Sequence, residues 1–250
     1  MIIILSPAKT LDFSDYLKLA KNTSSNTPIF LTKAQILADN LKKFTCQEIA
    51  EICHISPKLA ELNQQRWQNF RAENYHQAKQ AIFTFRGDVY KQLNLANYNK
   101  LELDYLQKNV LILSGLYGIL KPFDVILPYR LEMSSNFTKH SFFIDNLYNF
   151  WHNDLTKYCQ NYELIINLAS QEYIKALNKS NLNIIDMIFL DYQQNKLKNI
   201  GINAKKARGK TADLMIKNNI NNLADLKTLK PLNYQFSLEH SNHKKLIFIR

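Results

Sequence analysis

Small hydroxyls and cations gather in three short segments, each directly after an apolar run. Ser6, Lys9 and Thr10 follow Ile2–Leu5. Ser114, Gly115 and Tyr117 follow Val110–Leu113, and that segment continues to Tyr129 and Arg130. Ser170 closes Asn167-Leu168-Ala169-Ser170 after the run Leu164–Leu168. In open α/β sheets, ligands collect beyond the carboxyl ends of parallel strands. Hydroxyls beside one or two cations there suit a phosphate or a nucleobase-like small ligand. These nine residues form a candidate pocket. The plainer alternative is that Ser and Gly merely cap helices after strands.

Glycine is scarce, five in 250 residues, so each one is expected to hold a position that other residues avoid. Gly209-Lys210-Thr211 ends like a phosphate-binding loop, but Ala204 stands where the first glycine belongs, so that pattern fails. Neither GxGxxG nor GxSxG occurs. Cys46 and the Cys53-His54 pair lack metal-ligand spacing, and Cys46 and Cys53 read as small helix hydrophobes. His240 and His243 flank Ser241-Asn242 in an expected surface turn, and Asp186 and Asp191 read as strand-end acids. No two carboxylates suggest a general acid and base. Neither a metal nor a cofactor is expected, and catalytic residues stay unassigned.

Residues 47–67 hold a different possibility. Gln47–Cys53 reads as a short helix, and His54-Ile55-Ser56-Pro57 as a turn with Ser56 at the N-cap and Pro57 at the first helical position. A second helix then carries Lys58 and Arg66. This is a helix–hairpin–helix outline, whose second helix could offer N–H groups to a DNA phosphate. Its hairpin has no glycine, and two helices packed on a core give the same pattern.

The elements that must place these residues are legible by period. Helices are expected over 31–44, 46–53, 57–69, 75–82, 88–95, 99–107, 144–158, 170–178, 210–219 and 222–227. Strands are expected over 2–5, 110–113, 164–168, 184–190, 197–202 and 246–249. Continuous apolar strands separated by helices suit a buried parallel centre. The polar Tyr192–Asn195 signals a hairpin. The expected fold is a single α/β domain over 1–250, with a central mixed sheet surrounded by helices. Lys21–Pro28 and Ser134–His140 are polar loops and not domain boundaries.

Composition bounds the function. Aromatic residues at 12% exclude disorder. No apolar run reaches the roughly 18 residues of a membrane span. Met1–Leu5 is too short for a secretory core and lacks basic flanks, and three cysteines suggest no disulfide framework, so a cytoplasmic location is expected. Net charge is +11, and residues 196–250 carry 12 Lys and Arg against 3 acids. That asymmetry points to a polyanion, nucleic acid ahead of a membrane surface. A solvated basic tail is the alternative.

Taken in order, Ser6–Asp12, Gly87–Tyr90, Leu113–Gly118, Pro128–Met133, Asn167–Ser170 with Glu172-Tyr173, and Ala204–Gly209 resemble the YaaA family of bacterial peroxide-stress proteins. The resemblance spans nearly the whole chain. It implies a cytosolic, single-domain α/β protein with a family-specific fold. It further implies DNA binding through a basic cleft and a helix–hairpin–helix element, and protection when hydrogen peroxide meets free iron. The family's lysine–arginine motif falls on Lys205, Lys206 and Arg208. Members often carry a glycine and a basic residue soon after the Leu131–Met133 match. Ser134–Phe137 stands there instead, which implies a differently shaped loop.

Three functions follow. The first is a protein of the oxidative-stress response that binds double-stranded or structured DNA with little sequence specificity. Lys205, Lys206, Arg208 and Lys210 would neutralise phosphates, aided by Lys9, Lys58, Arg66 and Arg130. The second is an enzyme acting on a nucleobase, nucleotide or damaged base in the strand-end pocket. The third, direct iron binding, has almost no support from ligand spacing. No membrane partner is expected, and the sequence leaves the oligomeric state open.

Overall fold

The computed structural model describes residues 1–14, 23–140 and 142–250. Lys21 and Asn22 of the expected polar loop lie outside the described residues. The centre is a mixed sheet in the order β11-β12-β9-β8-β1-β5-β6. Its parallel strands are β1 (Ile2–Leu5), β5 (Val110–Ser114), β8 (Ile165–Asn167), β9 (Ile184–Gln193) and β12 (Lys245–Ile249). Antiparallel β6 (Gly118–Leu120) and β11 (Gln235–Asn242) close the two edges. β1, β5 and β8 are buried along their whole length, which is why they read as unbroken apolar runs.

Short strands β2 (Thr10–Leu11) and β4 (Phe85–Arg86) pair with each other, as do β3 (Lys79–Gln80) and β7 (Val125–Ile126). The hairpin from β9 to β10 (Lys196–Lys198) forms as expected. Gln194 and Asn195 both take positive φ at its tip, a conformation that Asn tolerates.

The helices are α1 (Leu31–Leu41), α2 (Cys46–Cys53), α3 (Pro57–Gln68), α4 (Ala81–Thr84), α5 (Lys100–Asn109), α6 (Leu147–Cys159), α7 (Gln171–Ile174), α8 (Gly201–Lys217) and α9 (Leu223–Thr228). Thr45–Glu48 and Asn99–Glu102 form capping boxes that start α2 and α5. α5 packs on β5 and on α8, while α8 also packs on β9.

Four expectations are corrected. Residues 75–82 divide into a 3-10 turn, strand β3 and the start of α4, because Lys79 and Gln80 are drawn into pairing with β7, and 88–95 holds short 3-10 turns. The strand expected to run to 202 stops at Lys198, and the helix expected from 210 begins at Gly201. Small buried residues at 204, 207 and 211 set the helical face there, whereas Ile200 and Ile202 imitate a strand. β11 went unforeseen because it lies mostly exposed at an edge and only Phe236 and Leu238 alternate in an otherwise polar run. His240 consequently sits on a strand, and only His243 in the turn.

Candidate functional site

β1 lies between β5 and β8. From β1 the chain first builds one side of the sheet and then crosses to the other, so the carboxyl end of β1 is a switch point in strand order. A cleft of about 300 Å³ opens there. Its walls come from the loop after β1 (Ser6–Thr10), Arg86–Tyr90, Tyr129–Glu132, the start of α7 with Ser170, Glu172 and Tyr173, and Lys205 and Arg208 of α8.

Of the expected pocket, Ser6, Lys9, Thr10, Tyr129, Arg130 and Ser170 line this cleft. Ser6 ties two loops together: its Oγ accepts from the Ser170 N–H at 2.8 Å and lies 3.3 Å from the Ser170 hydroxyl. Ser114, Gly115 and Tyr117 do not line it. β5 turns straight back into β6, which folds those residues into the core. They act from behind. The Ser114 hydroxyl lies 2.7 Å from the Tyr129 hydroxyl and fixes that ring, while the Tyr117 hydroxyl accepts from the Leu127 N–H at 3.0 Å. At Gly115 an added Cβ would sit 2.4 Å from the Leu131 carbonyl, so the turn and the cleft wall meet backbone to backbone.

α8 is pressed on the cleft in a similar way. A Cβ at Gly209 would stand 2.1 Å from the Val89 carbonyl. One turn on, the buried Asp213 carboxylate accepts from the Asn94 N–H at 3.1 Å, the Tyr98 hydroxyl at 2.8 Å and Lys210 at 2.8 Å. Those bonds hold its pKa below the usual carboxylate range against the opposing effect of burial. Gly209-Lys210-Thr211 is therefore helix interior and not a phosphate loop.

The cations divide into two groups. Lys210 and Lys217 serve Asp213, and Arg250 serves Asp191 at 2.8 Å and stacks on Tyr234. Part of the basic tail is thus structural. Lys205 and Arg208, three residues apart on α8, reach the cleft, and neither has an ion pair among the described residues. Lys206 is half-buried and does not line the cleft. Lys9 and Arg130 both approach Glu132, at 2.7 and 3.4 Å. Arg86 donates to Asp12 at 3.2 Å. Five cations face Asp88, Glu132 and Glu172 across the cleft, which leaves it basic.

Sequence reasoning missed Arg86, Asp88, Glu132, Glu172 and Tyr173 as cleft residues. The scarce Gly87 and Gly209 marked two of the three places where walls converge, and that was the available signal. Three tyrosines, Tyr90, Tyr129 and Tyr173, are buried in the wall, and burial pushes all three phenols up.

Lys58 is exposed on α3, which packs against α2. Ser56 occupies the N-cap position, yet its side chain makes no cap bond. Arg66 lines a second cavity with Leu62, Gln65, Asn69, Asn74 and Gln77. Burial and the nearby Arg130 both lower its pKa. Among the described residues, no three His, Cys, Asp or Glu side chains come together as metal ligands, and no helix is long and apolar enough to cross a membrane.

A mixed sheet packed by helices, with a basic cleft at its switch point, defines an α/β protein with a candidate ligand site. Residues 1–240 match the family described as peroxide stress protein YaaA. The chain is similar over its whole length to UPF0246 proteins of Rickettsia conorii (38% identity, 100% of both chains) and Clostridium beijerinckii (40% identity, 98% of that protein). A UPF0246 protein of Crocosphaera subtropica is 39% identical over the full length of both. This chain belongs to the YaaA family of peroxide-stress proteins.

Proposed function

We propose that the protein binds DNA through this cleft with little base-sequence specificity, and so protects DNA from damage linked to hydrogen peroxide and free iron. One observation carries the reading: Lys205 and Arg208 project from α8 into the cleft without an ion pair among the described residues, whereas Lys210, Lys217 and Arg250 each hold a structural acid. Cations kept without partners are available to neutralise phosphates. Lys9 and Arg130 at Glu132 add to the same surface. α2 and α3, joined through His54, Ile55 and Ser56, serve as the hairpin element, with Lys58 at the start of α3.

The test is duplex binding by fluorescence anisotropy with Lys205→Ala combined with Arg208→Glu, beside Lys206→Ala. The double variant is expected to lose affinity while keeping its circular dichroism, and Lys206→Ala is expected to change little. Equal affinity in a folded double variant refutes the assignment.

A second reading, an enzyme acting on a nucleobase, nucleotide or damaged base, is favoured by the enclosed volume and the tyrosine-lined wall. Release of a free base from a damaged duplex would support it.

A further inference from the structure

Arginines in this fold show what a structural role looks like. Arg86 spends Nε on Asp12 and Nη1 on the Phe83 and Phe85 carbonyls, at 3.0 to 3.3 Å. Arg250 spends Nε on Asp191. The two remaining guanidinium groups of the cleft depart from this pattern. The Nε atoms of Arg130 and Arg208 are buried and meet no hydrogen-bond acceptor among the described residues. Arg130 has one long contact, Nη2 to Glu132 at 3.4 Å, and Arg208 has none. Asp186 is the acid whose charge reaches Arg208, but it already accepts from Asn167 at 2.6 Å and Lys179 at 2.9 Å. Burial draws the Arg208 pKa below its ordinary value. A buried N–H donor without an acceptor is costly, and the fold keeps two in one cleft.

The chemistry of the missing acceptor can be read from the donors. The Nε–Nη edge of a guanidinium donates two parallel N–H bonds to two oxygens of one group. Two such edges bring four N–H donors and two positive charges, which the two non-bridging oxygens and single charge of an internal phosphodiester match less fully. A phosphomonoester has three, and a second negative charge. Tyr90, Tyr129 and Tyr173 give the cleft an aromatic wall. The Tyr90 hydroxyl donates to the Ser6 carbonyl at 2.8 Å, and the Tyr129 hydroxyl is engaged with Ser114. A volume of about 300 Å³ suits one nucleotide, so a duplex would lie across its mouth.

We infer that Arg130 and Arg208 bind the phosphomonoester of a single nucleotide, with Tyr129 and Tyr173 against its base or sugar. This deepens the reading of the cleft given above and rests on its premise that ligand enters there. A phosphomonoester has two sources, a free nucleoside monophosphate and the phosphorylated end of a broken DNA strand.

Calorimetry with AMP and adenosine, and anisotropy with nicked duplexes bearing a 5′-phosphate or a 5′-hydroxyl, test the inference. An intact duplex is titrated in parallel. At least one phosphorylated probe is expected to bind about tenfold or more tightly than its unphosphorylated twin. Preference for AMP assigns the free nucleotide, and preference for the phosphorylated nick assigns the DNA end. Arg208→Met and Arg208→Lys are each expected to lose about tenfold or more of that affinity, because neither offers the two-bond edge.

Ligand-free Arg208→Met is expected to melt at or above the wild-type temperature, since a buried donor without an acceptor is gone. A merely structural arginine would lower it. Absence of any phosphate preference, unchanged affinity in folded Arg208→Lys, or a lower melting temperature in Arg208→Met overturns the inference. Intact-duplex binding without phosphate preference sinks this inference alone. Phosphate preference without intact-duplex binding leaves it standing and removes the reading of general duplex binding.

Discussion

Replacing Gly209 by Ala sets two physical effects against each other. On helix propensity alone, Ala in the interior of α8 stabilises by about 1 kcal/mol. The packing says the reverse. The new methyl would sit 2.1 Å from the Val89 carbonyl oxygen, 2.8 Å from its carbon and 2.9 Å from its Cα. Carbon contacts settle near about 3.5 Å, so α8 must retreat by roughly 1 Å or more. The obstacle is backbone and cannot rotate aside. The Asp213 bonds to Asn94 and Tyr98, one turn away, resist the retreat. Forcing volume into a packed contact costs about 1–3 kcal/mol.

The net expectation is destabilisation of up to about 2 kcal/mol, a fall of roughly 4–8 °C in melting temperature at this chain length. Retreat also carries Lys205 and Arg208 away from Arg86–Tyr90, so duplex affinity should fall in the same variant. Thermal unfolding followed by circular dichroism reads the first effect and anisotropy the second. A variant that melts higher than wild type refutes the close-approach argument, because propensity would then have won.

Two further outcomes follow from buried titratable groups. Asp124 is 3% exposed, and burial raises its pKa to about 7 from an ordinary 3.8, the Lys121 N–H acting the other way. The ionised carboxylate therefore destabilises the fold increasingly as pH climbs from about 4 to about 7, and not at all below the unfolded value. Asp124→Asn should gain up to about 4 kcal/mol at pH 8 and nothing near pH 3.5 in urea titrations, while a pH-independent effect would contradict this. Burial also pushes the Cys53 and Cys159 thiols up to about 12, so at pH 8 iodoacetamide should modify Cys46 alone in the native protein. Mass-spectrometric detection of native Cys53 or Cys159 adducts would count against that burial.

The parallel core was readable because strands buried on both faces must be apolar throughout, as Ile2–Leu5 and Val110–Leu113 are. The loops beyond the carboxyl ends of those strands were readable with them, whereas the strand order that makes the end of β1 a switch point was not. Ser114 and Tyr117 were placed wrongly because periodicity does not distinguish a strand that leads to a loop from one that turns back as β6. The start of α8 was obscured by Ile200 and Ile202, which alternate like a strand. Which cations serve structure was also hidden. Lys210 and Arg208 look alike in sequence, yet one pairs with Asp213 and the other enters the cleft without an ion pair among the described residues. Only the packing of α8 on the 89–98 segment separates them.

The most direct test of DNA binding at the cleft is the salt dependence of duplex affinity. With Lys9, Arg130, Lys205 and Arg208 as the contacting charges, the slope of log affinity against log salt should be roughly −3 to −4. That amounts to about 100-fold weaker binding at 200 mM than at 50 mM salt, and Lys205→Ala with Arg208→Glu should flatten the slope by about 2. No binding at 50 mM salt, or a slope that the double variant leaves unchanged, would contradict the account.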